Sequence, residues 1–329
     1  MDPLDLRIIG ALQVDGRASW RRIAEALGAP ERTVARRGVR LLETGIVTVT
    51  AVTPYGVPML VRAKCTAGLA RTAATALARR AEASFCYLLT GQAEVAAEVR
   101  CTRERLAAYL SEDIATTPGL HEITADPITK YYRTVHEWQP GILTAAEVAE
   151  LSELPQLTPQ PRHPDGDVFT PDERALVRAL REDGRRTHEE LARLAGVSES
   201  TVRRRVESLR RSGEMFIRAV VEPAVLGLPI EALLWIRSRP SDVDELGREL
   251  LTSPYVRYAA ATMGEHQLMA DVTLPDFETL HRFVAESDWA RLAVSVHTGL
   301  VTKGLKRSSV LTPSYESEAG FLSRTGSDR

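Results

Sequence analysis

Apolar residues recur at helical spacing three times in the first 45 residues, and do so again in the same order from residue 171. The pattern predicts an amphipathic helix over roughly 4–14 that ends at an Asp-Gly breaker, a short helix over 19–27 and a third over 31–43. The counterparts fall at 171–182, 187–195 and 199–211. Ser19 and Thr187 stand where N-caps belong, and Gly28 and Gly196 supply a tight turn before the third helix. Two helices joined by a short Gly-containing turn form the helix-turn-helix pattern. A β-prone stretch follows each triplet, "IVTVTAV" (46–52) and "MFIRAVV" (215–221). Beyond it the pattern switches to strands and helices in the order β-α-β-β-α-β. In the first half these are strand 58–65, helix 69–82, strands 84–90 and 93–100, helix 103–114 and strand 121–130. In the second they are strand 230–238, helix 242–252, strands 255–262 and 266–273, helix 276–287 and strand 292–302. That order is ferredoxin-like.

The two halves are copies. "DGRASWRRIAEALGAPERTVARRGVRLLETG" (15–45) lies on "DGRRTHEELARLAGVSESTVRRRVESLRRSG" (183–213) without a gap. The expected fold class is therefore α+β: two winged or helix-turn-helix domains (1–53 and 169–222) and two ferredoxin-like βαββαβ domains (54–138 and 223–311), arranged as an intrachain pseudo-dimer. Between the halves, 139–168 carries five prolines and reads as a semi-rigid linker interrupted by a helix at 144–153. The Ser-, Gly- and charge-rich tail, 312–329, reads as disordered.

A net charge of −2 excludes a uniformly basic coat but leaves room for a local basic patch. Aromatic residues make up 5% of the chain, too few for stacking platforms that hold single strands. The three cysteines, Cys65, Cys86 and Cys101, form no CxxC and read as reduced thiols. The acidic, amphipathic start is unlike a signal peptide, and no apolar run approaches the ~18 residues of a membrane span. A cytoplasmic protein with no membrane partner is expected.

The local excess of positive charge lies on the third helices. Residues 199–211 hold five arginines against Glu199 and Glu207. At about 100° per residue, Val202, Val206 and Leu209 share a core stripe, as do Val34, Gly38 and Leu41 in the first copy. Arg32, Thr33, Arg36 and Arg40, and Ser200, Thr201, Arg203, Arg204 and Arg211, are then the candidate contacts to double-stranded DNA. Arg205 sits beside the core stripe, placed to pack its stem or reach a phosphate. Long cationic forks can span to phosphates or to the acceptor pair on guanine. The outward positions differ between the copies: Arg32 is matched by Ser200, Ala35 by Arg203, Val39 by Glu207 and Arg40 by Ser208. Two unlike reading surfaces predict a pseudo-symmetric operator with half-sites whole helical turns apart, ~34 Å each.

The order helix-turn-helix, short β connection, ferredoxin-like domain resembles the leucine-responsive/asparagine regulator (Lrp/AsnC) family of bacterial transcription factors, twice over in one chain. "LDLRIIGALQVDGRASWRRIAEALGAPERTVARRGVRLLETGIV" and "DERALVRALREDGRRTHEELARLAGVSESTVRRRVESLRRSGEM" resemble that family's opening. "TG" at 90–91 and "MG" at 263–264 resemble its central effector-domain turn. The resemblance implies self-association through the ferredoxin-like domains. It also implies an amino acid or related small molecule as effector and no other cofactor. The residues it marks for that ligand are Gly91 and Glu94 in the first half and Gly264, His266 and Gln267 in the second. The family often carries an acidic residue three positions after the turn glycine. Only Glu94 keeps that charge, and glycines that simply turn a hairpin are the competing explanation.

Two other functions fit the layout. It also resembles the sirohaem decarboxylases, some of which are two-half fusions working through cleft histidines and arginines. The seven histidines here show no metal spacing, and that group's usual segment around the helix-turn-helix turn is not found. A sensor or assembly protein with degenerate DNA-binding heads is the other. Gly38, which costs a helix about 1 kcal/mol relative to Ala, and Glu43, matched by Arg211, make the N-terminal head the weaker candidate. Outward arginines occurring twice favour DNA binding over an enzyme.

Overall fold

The structure, a computed structural model, describes residues 1–91, 94–152, 158, 160–162 and 168–312. Each half opens with three helices. These are α1 (Pro3–Val14), α2 (Trp20–Leu27) and α3 (Glu31–Glu43), followed by strand β1 (Thr48–Val52). In the first half β2 (Val57–Cys65), α4 (Ala70–Ala78), β3 (Ala83–Leu89) and β4 (Val95–Cys101) come next. Then α5 (Leu106–Ala108) runs on through a π-helical turn to Ile114, and β5 (Leu120–Arg133) closes the half. After α6 (Ala145–Leu151), the second half repeats the series as α7 (Pro171–Glu182), α8 (His188–Ala195), α9 (Glu199–Arg211) and β6 (Phe216–Val220). Its α/β part is β7 (Ile230–Ser238), α10 (Val243–Leu250), β8 (Val256–Thr262), β9 (Leu268–Leu274), α11 (Phe277–Ala285) and β10 (Ala293–Arg307), with a short β11 (Val310–Leu311).

Local chemistry accounts for the helix ends. The Ser19 hydroxyl accepts from Arg22 N at the start of α2, and Thr187 with Glu190 forms a reciprocal capping box on α8. Gly28 and Gly196 take left-handed conformations, φ 60° and 67°, that stop α2 and α8 and turn the chain into the third helices.

The spatial order β3-β4-β2-β5 is ferredoxin-like, and β8-β9-β7-β10 repeats it. The halves exchange their last strands. β5 pairs with β2 through Pro127 and then with β8 from Ile128. β10 pairs with β7 through Leu300 and then with β3 from Val301. Both strands are longer than the hydrophobic pattern predicts (121–130 and 292–302), because the extra residues serve the other half's sheet. The outcome is a closed ring of strands, not two sheets back to back. Such reciprocal pairing is the mark of a two-fold relation between like surfaces.

The helical units are joined as well. β1 and β6 form a two-stranded ribbon with Thr50 opposite Arg218 at its centre. One apolar core runs through both triplets, from Ile8, Leu12 and Val34 to Leu180, Val202 and Leu209. Arg17 donates to the carbonyls of Gly184 (2.7 Å) and Arg186, and Arg185 returns the contact to Gly16 (2.7 Å) and Ala18. The expected linker contributes to this unit: α6, capped by Thr144 and Glu147, buries Leu151, packs Leu143 and Val148 on the joint core and pairs Glu147 with Arg7. The expectation of disorder at 313–329 concerns residues outside those described.

Candidate nucleic-acid interface

The predicted core stripes of the third helices are buried. Val34, Leu41 and Val202 have no exposed surface, while Gly38, Val206 and Leu209 sit beside them in the interior. On the opposite face Arg32, Arg36, Arg40, Ser200, Arg203, Arg204 and Arg211 are exposed, and Thr33 and Thr201 are half-buried. Thr201 belongs to the cap of α9: Ser198 Oγ accepts from its backbone N and lies 2.9 Å from its hydroxyl.

The exposed cations are not equally free. Arg40 is held by Asp5 (2.5 Å), and Arg211 pairs with Glu207 one turn away. Arg37 is taken by Asp2 and Asp5, Arg205 by Asp172, and Arg210 by Asp15 of the first half (2.8 Å). Arg205 therefore ties α9 to α7. Among the described residues Arg32, Arg36, Arg203 and Arg204 make no ion pair. Arg36 and Arg204 occupy equivalent positions in the two helices, whereas Arg32 and Arg203 do not. Each head thus offers one shared cation and one of its own.

Gly38 has a packing reason that the sequence does not show. The six-membered ring of Trp20 lies against its backbone, so that a Cβ there would fall inside van der Waals contact, with Cε3 at 2.9 Å. The Arg185 guanidinium covers the indole at 4.3 Å. In the second half His188 and Val206 occupy the two positions. A large and a small residue have been traded for two of middle size.

The turn residues marked for an effector are placed as follows. Gly91 is exposed with φ 98°, and His297 Nε2 from the other half's last strand lies 3.4 Å from where its Cβ would be. Glu94 Oε2 accepts from Cys65 N (2.7 Å), and Gln267 Oε1 accepts from Ser238 N (3.1 Å). Both side chains therefore pin their turn to the end of the first strand of their own sheet. A Cβ at Gly264 would meet Asp126, whose carboxylate pairs with Arg62 (3.3 Å). His266 is buried with Nδ1 3.1 Å from the same guanidinium; burial and then Arg62 lower its pKa.

A second set of polar groups escaped the sequence reading. Glu98, Arg100, Glu231, Arg257, Asp271 and Arg307 lie on strands yet are shielded from solvent between the ring and the β1–β6 ribbon. Glu98 accepts from Arg100 Nε (2.8 Å) and the hydroxyls of Tyr131 (3.1 Å) and Tyr258 (2.8 Å). Glu231 takes a two-pronged pair from Arg307 (2.6 Å each) and a third bond from Arg257. Burial pushes Asp271 up to about 7, opposed by Arg257 and assisted by Glu231. The thiols of Cys86 and Cys101 are buried and Cys65 is half-buried; among the described residues no His, Cys, Asp or Glu group could hold a metal ion, and no helix is long and apolar enough to cross a membrane.

Comparison with known proteins follows this division. Residues 1–42 and 173–210 match the AsnC-type helix-turn-helix domain, and 231–311 match the Lrp/AsnC ligand binding domain. The chain is 36% identical over 115 residues to an uncharacterised HTH-type transcriptional regulator of Pyrococcus abyssi, spanning 35% of this chain and 73% of that protein. It is 26% identical over 140 residues to the HTH-type transcriptional regulator FL11 of Pyrococcus furiosus, spanning 42% and 93%. Along its full length it shares the fold of the siroheme decarboxylase NirDL, with a TM-score of 0.60 at 14% identity over 99% of both chains.

Proposed function

The chain belongs to the Lrp/AsnC family, and from that premise we propose that it is a sequence-specific, double-stranded-DNA-binding transcriptional regulator of the cytoplasm whose two heads read unlike half-sites. The observation that carries the proposal is the free pair Arg36 and Arg204, exposed at equivalent places on two helices that share one core. Arg32 and Thr33 on one side, and Ser200, Thr201 and Arg203 on the other, give the heads their different preferences. Arg40 and Arg211, already paired within the chain, contribute less. Further self-association would run through the ferredoxin-like domains. An amino acid or related effector at Gly91 would be held by backbone and His297, because Glu94 is engaged; the corresponding site at Gly264, His266 and Gln267 is filled by Asp126 and Arg62.

The test begins with selection of binding sites from random duplexes by the purified chain, followed by titration of the best site with Arg36→Ala and Arg204→Ala. Each loss of a phosphate contact should weaken binding and lower the slope of log affinity against log salt by about 1. Perfect palindromes from the selection, or unchanged slopes, would count against the reading. The full-length likeness of fold to a siroheme decarboxylase favours a second one, a tetrapyrrole decarboxylase. A changed absorbance spectrum of sirohaem on mixing, followed by loss of carboxyl groups, would support that alternative.

A further inference from the structure

A cavity of about 460 Å³ lies between the β1–β6 ribbon and the end of the strand ring. Its walls come from both halves. Thr50 and Arg218, paired at the centre of the ribbon, both line it, and so do Glu98 and Asp271, which occupy equivalent places on β4 and β9. The cavity therefore straddles the pseudo-two-fold axis.

Six cationic side chains face it, Arg100, Arg181, Arg218, Arg257, Lys306 and Arg307, against three acids, Glu82, Glu98 and Asp271. Glu98 neutralises Arg100, Glu231 and Glu222 neutralise Arg307, and Arg257 pairs with Glu231 (3.0 Å) and Asp271 (3.8 Å). Arg218, Lys306 and Arg181 have no carboxylate within ion-pair reach among the described residues. Lys306 donates to Arg80 O (2.7 Å) and Arg181 to Thr53 Oγ1 (2.8 Å). The Arg218 side chain makes no hydrogen bond to any described residue; only 8% of the residue's surface is exposed, and its Nε is buried without a partner. Asp271 Oδ1 and His136 Nδ1, around the same space, also lack a hydrogen bond, and Arg257 Nε has only the 3.8 Å ion pair with Asp271 Oδ2. Burial, and then the charge of Arg257, lower the Arg218 pKa to about 9. A buried guanidinium with nothing opposite it is strongly unfavourable unless something else supplies the negative charge.

The remaining walls are aromatic. Phe85 and Tyr87 stack at 4.8 Å, and Tyr258 meets Phe85 edge-on. The volume falls in the range of small-molecule sites, roughly 300–1,000 Å³. We infer that this axial cavity binds one small organic anion, a di- or tricarboxylate with a flat apolar body, anchored on Arg218 with Lys306 and Arg181 beside it. Duplication explains how such a site can exist. In a pair of identical subunits the arginine at the centre of the ribbon would face its own copy, and like charges directly opposite on paired strands repel. With Thr50 in the other copy, the guanidinium stands alone and the site becomes single and one-sided.

The site stands whether or not the third helices bind DNA, so it is tested without DNA. Full-length protein is titrated by calorimetry and thermal shift with phthalate, glutarate and inorganic phosphate. Phthalate should bind one per chain and raise the melting temperature, with the other two weaker. Arg218→Met should melt higher than the parent without ligand, because an unpaired buried charge is gone, and should bind phthalate ~10–100-fold more weakly, the worth of one charged hydrogen-bonded contact. Arg218→Lys should recover part of the ligand-induced shift. A lower melting temperature in Arg218→Met would make the arginine a structural group and end the proposal. So would phthalate affinity unchanged in that variant, two sites per chain, or no response to any probe at 10 mM, taken as ~10 times a weak effector's Kd. Phosphate matching phthalate would overturn the organic body, leaving an adventitious ion only. Arg36→Ala and Arg204→Ala should bind phthalate as the parent does, which keeps this outcome apart from the DNA result.

Discussion

The substitution Gly38→Ala separates a worn helix from a packed one. In an exposed helix the change should stabilise by about 0.8–1.0 kcal/mol, since glycine loses more freedom on folding than alanine. Here the new methyl would collide with three atoms of the Trp20 ring, Cε3 among them at 2.9 Å. The ring has no simple escape, with Arg185 covering it at 4.3 Å and the joint core beside it. Overpacking of this kind costs about 1–3 kcal/mol, so the helix gain is offset and a net loss of up to ~2 kcal/mol is expected. All the colliding atoms belong to the six-membered ring, which histidine lacks. In a Trp20→His background, which copies His188 of the second half, Gly38→Ala should therefore change sign and stabilise by about 1 kcal/mol. The coupling of ~1–3 kcal/mol can be measured by urea unfolding of the four proteins of the cycle, followed by circular dichroism. A stabilising Gly38→Ala in the parent, or equal effects in both backgrounds within ~0.5 kcal/mol, would show that the glycine is a sign of a degenerate head rather than a seat for Trp20.

Glu98→Ala should be among the most damaging single changes in the ring. It leaves the half-buried Arg100 without its carboxylate and removes the buried acceptor shared by Tyr131 and Tyr258, a loss of about 3 kcal/mol readable as a lower urea midpoint. Asp271 supplies a pH signature. Its folded pKa, pushed up to about 7 by burial, exceeds the unfolded value of 3.8, so the folded chain binds the extra proton between those limits. Its contribution to stability is then present at low pH and lost as pH rises from about 4 to about 7. The stability of Asp271→Asn relative to the parent should climb over that interval, and a difference that stays level from pH 4 to 8 would refute the assignment.

The helices were readable because their signals are local: a cap, a 3.6-residue stripe and a glycine turn each sit within a few positions. The duplication was readable because the same local signals recur 168 residues later. What the pattern could not carry was pairing across the halves. The final residues of β5 and β10 look like exits from a strand until the other sheet is there to receive them. The ring also inverts the usual meaning of alternation. Val95, Ala97 and Val99 face the helices while Ala96, Glu98 and Arg100 face inward, so the polar positions of "VAAEVR" read as solvated although Glu98 is buried. Glu231 on β7 and Asp271 on β9 were missed for the same reason. Glu94 carries a signal of the opposite sense: an acid in a family turn suggests a ligand, while in the fold it accepts from a backbone amide as Gln267 does, a bond that needs an acceptor and no charge.

Fusion of two protomers changes what selection can act on. In a homodimer every substitution appears twice and must suit both sides of the axis, so a residue on the axis has to tolerate its own image. In this chain Thr50 and Arg218 are opposite and unlike, Trp20 and Gly38 are traded for His188 and Val206, and Arg210 reaches Asp15 where its own counterpart is Leu42. The exchange of last strands and the matched bonds of Arg17 and Arg185 remain reciprocal. The unlike pairs lie on the axis, in the seat behind α3 and on the flank of α9. Symmetry is kept in the exchanged strands and the Arg17 and Arg185 bonds, and relaxed at the cavity and on the outward faces of α3 and α9.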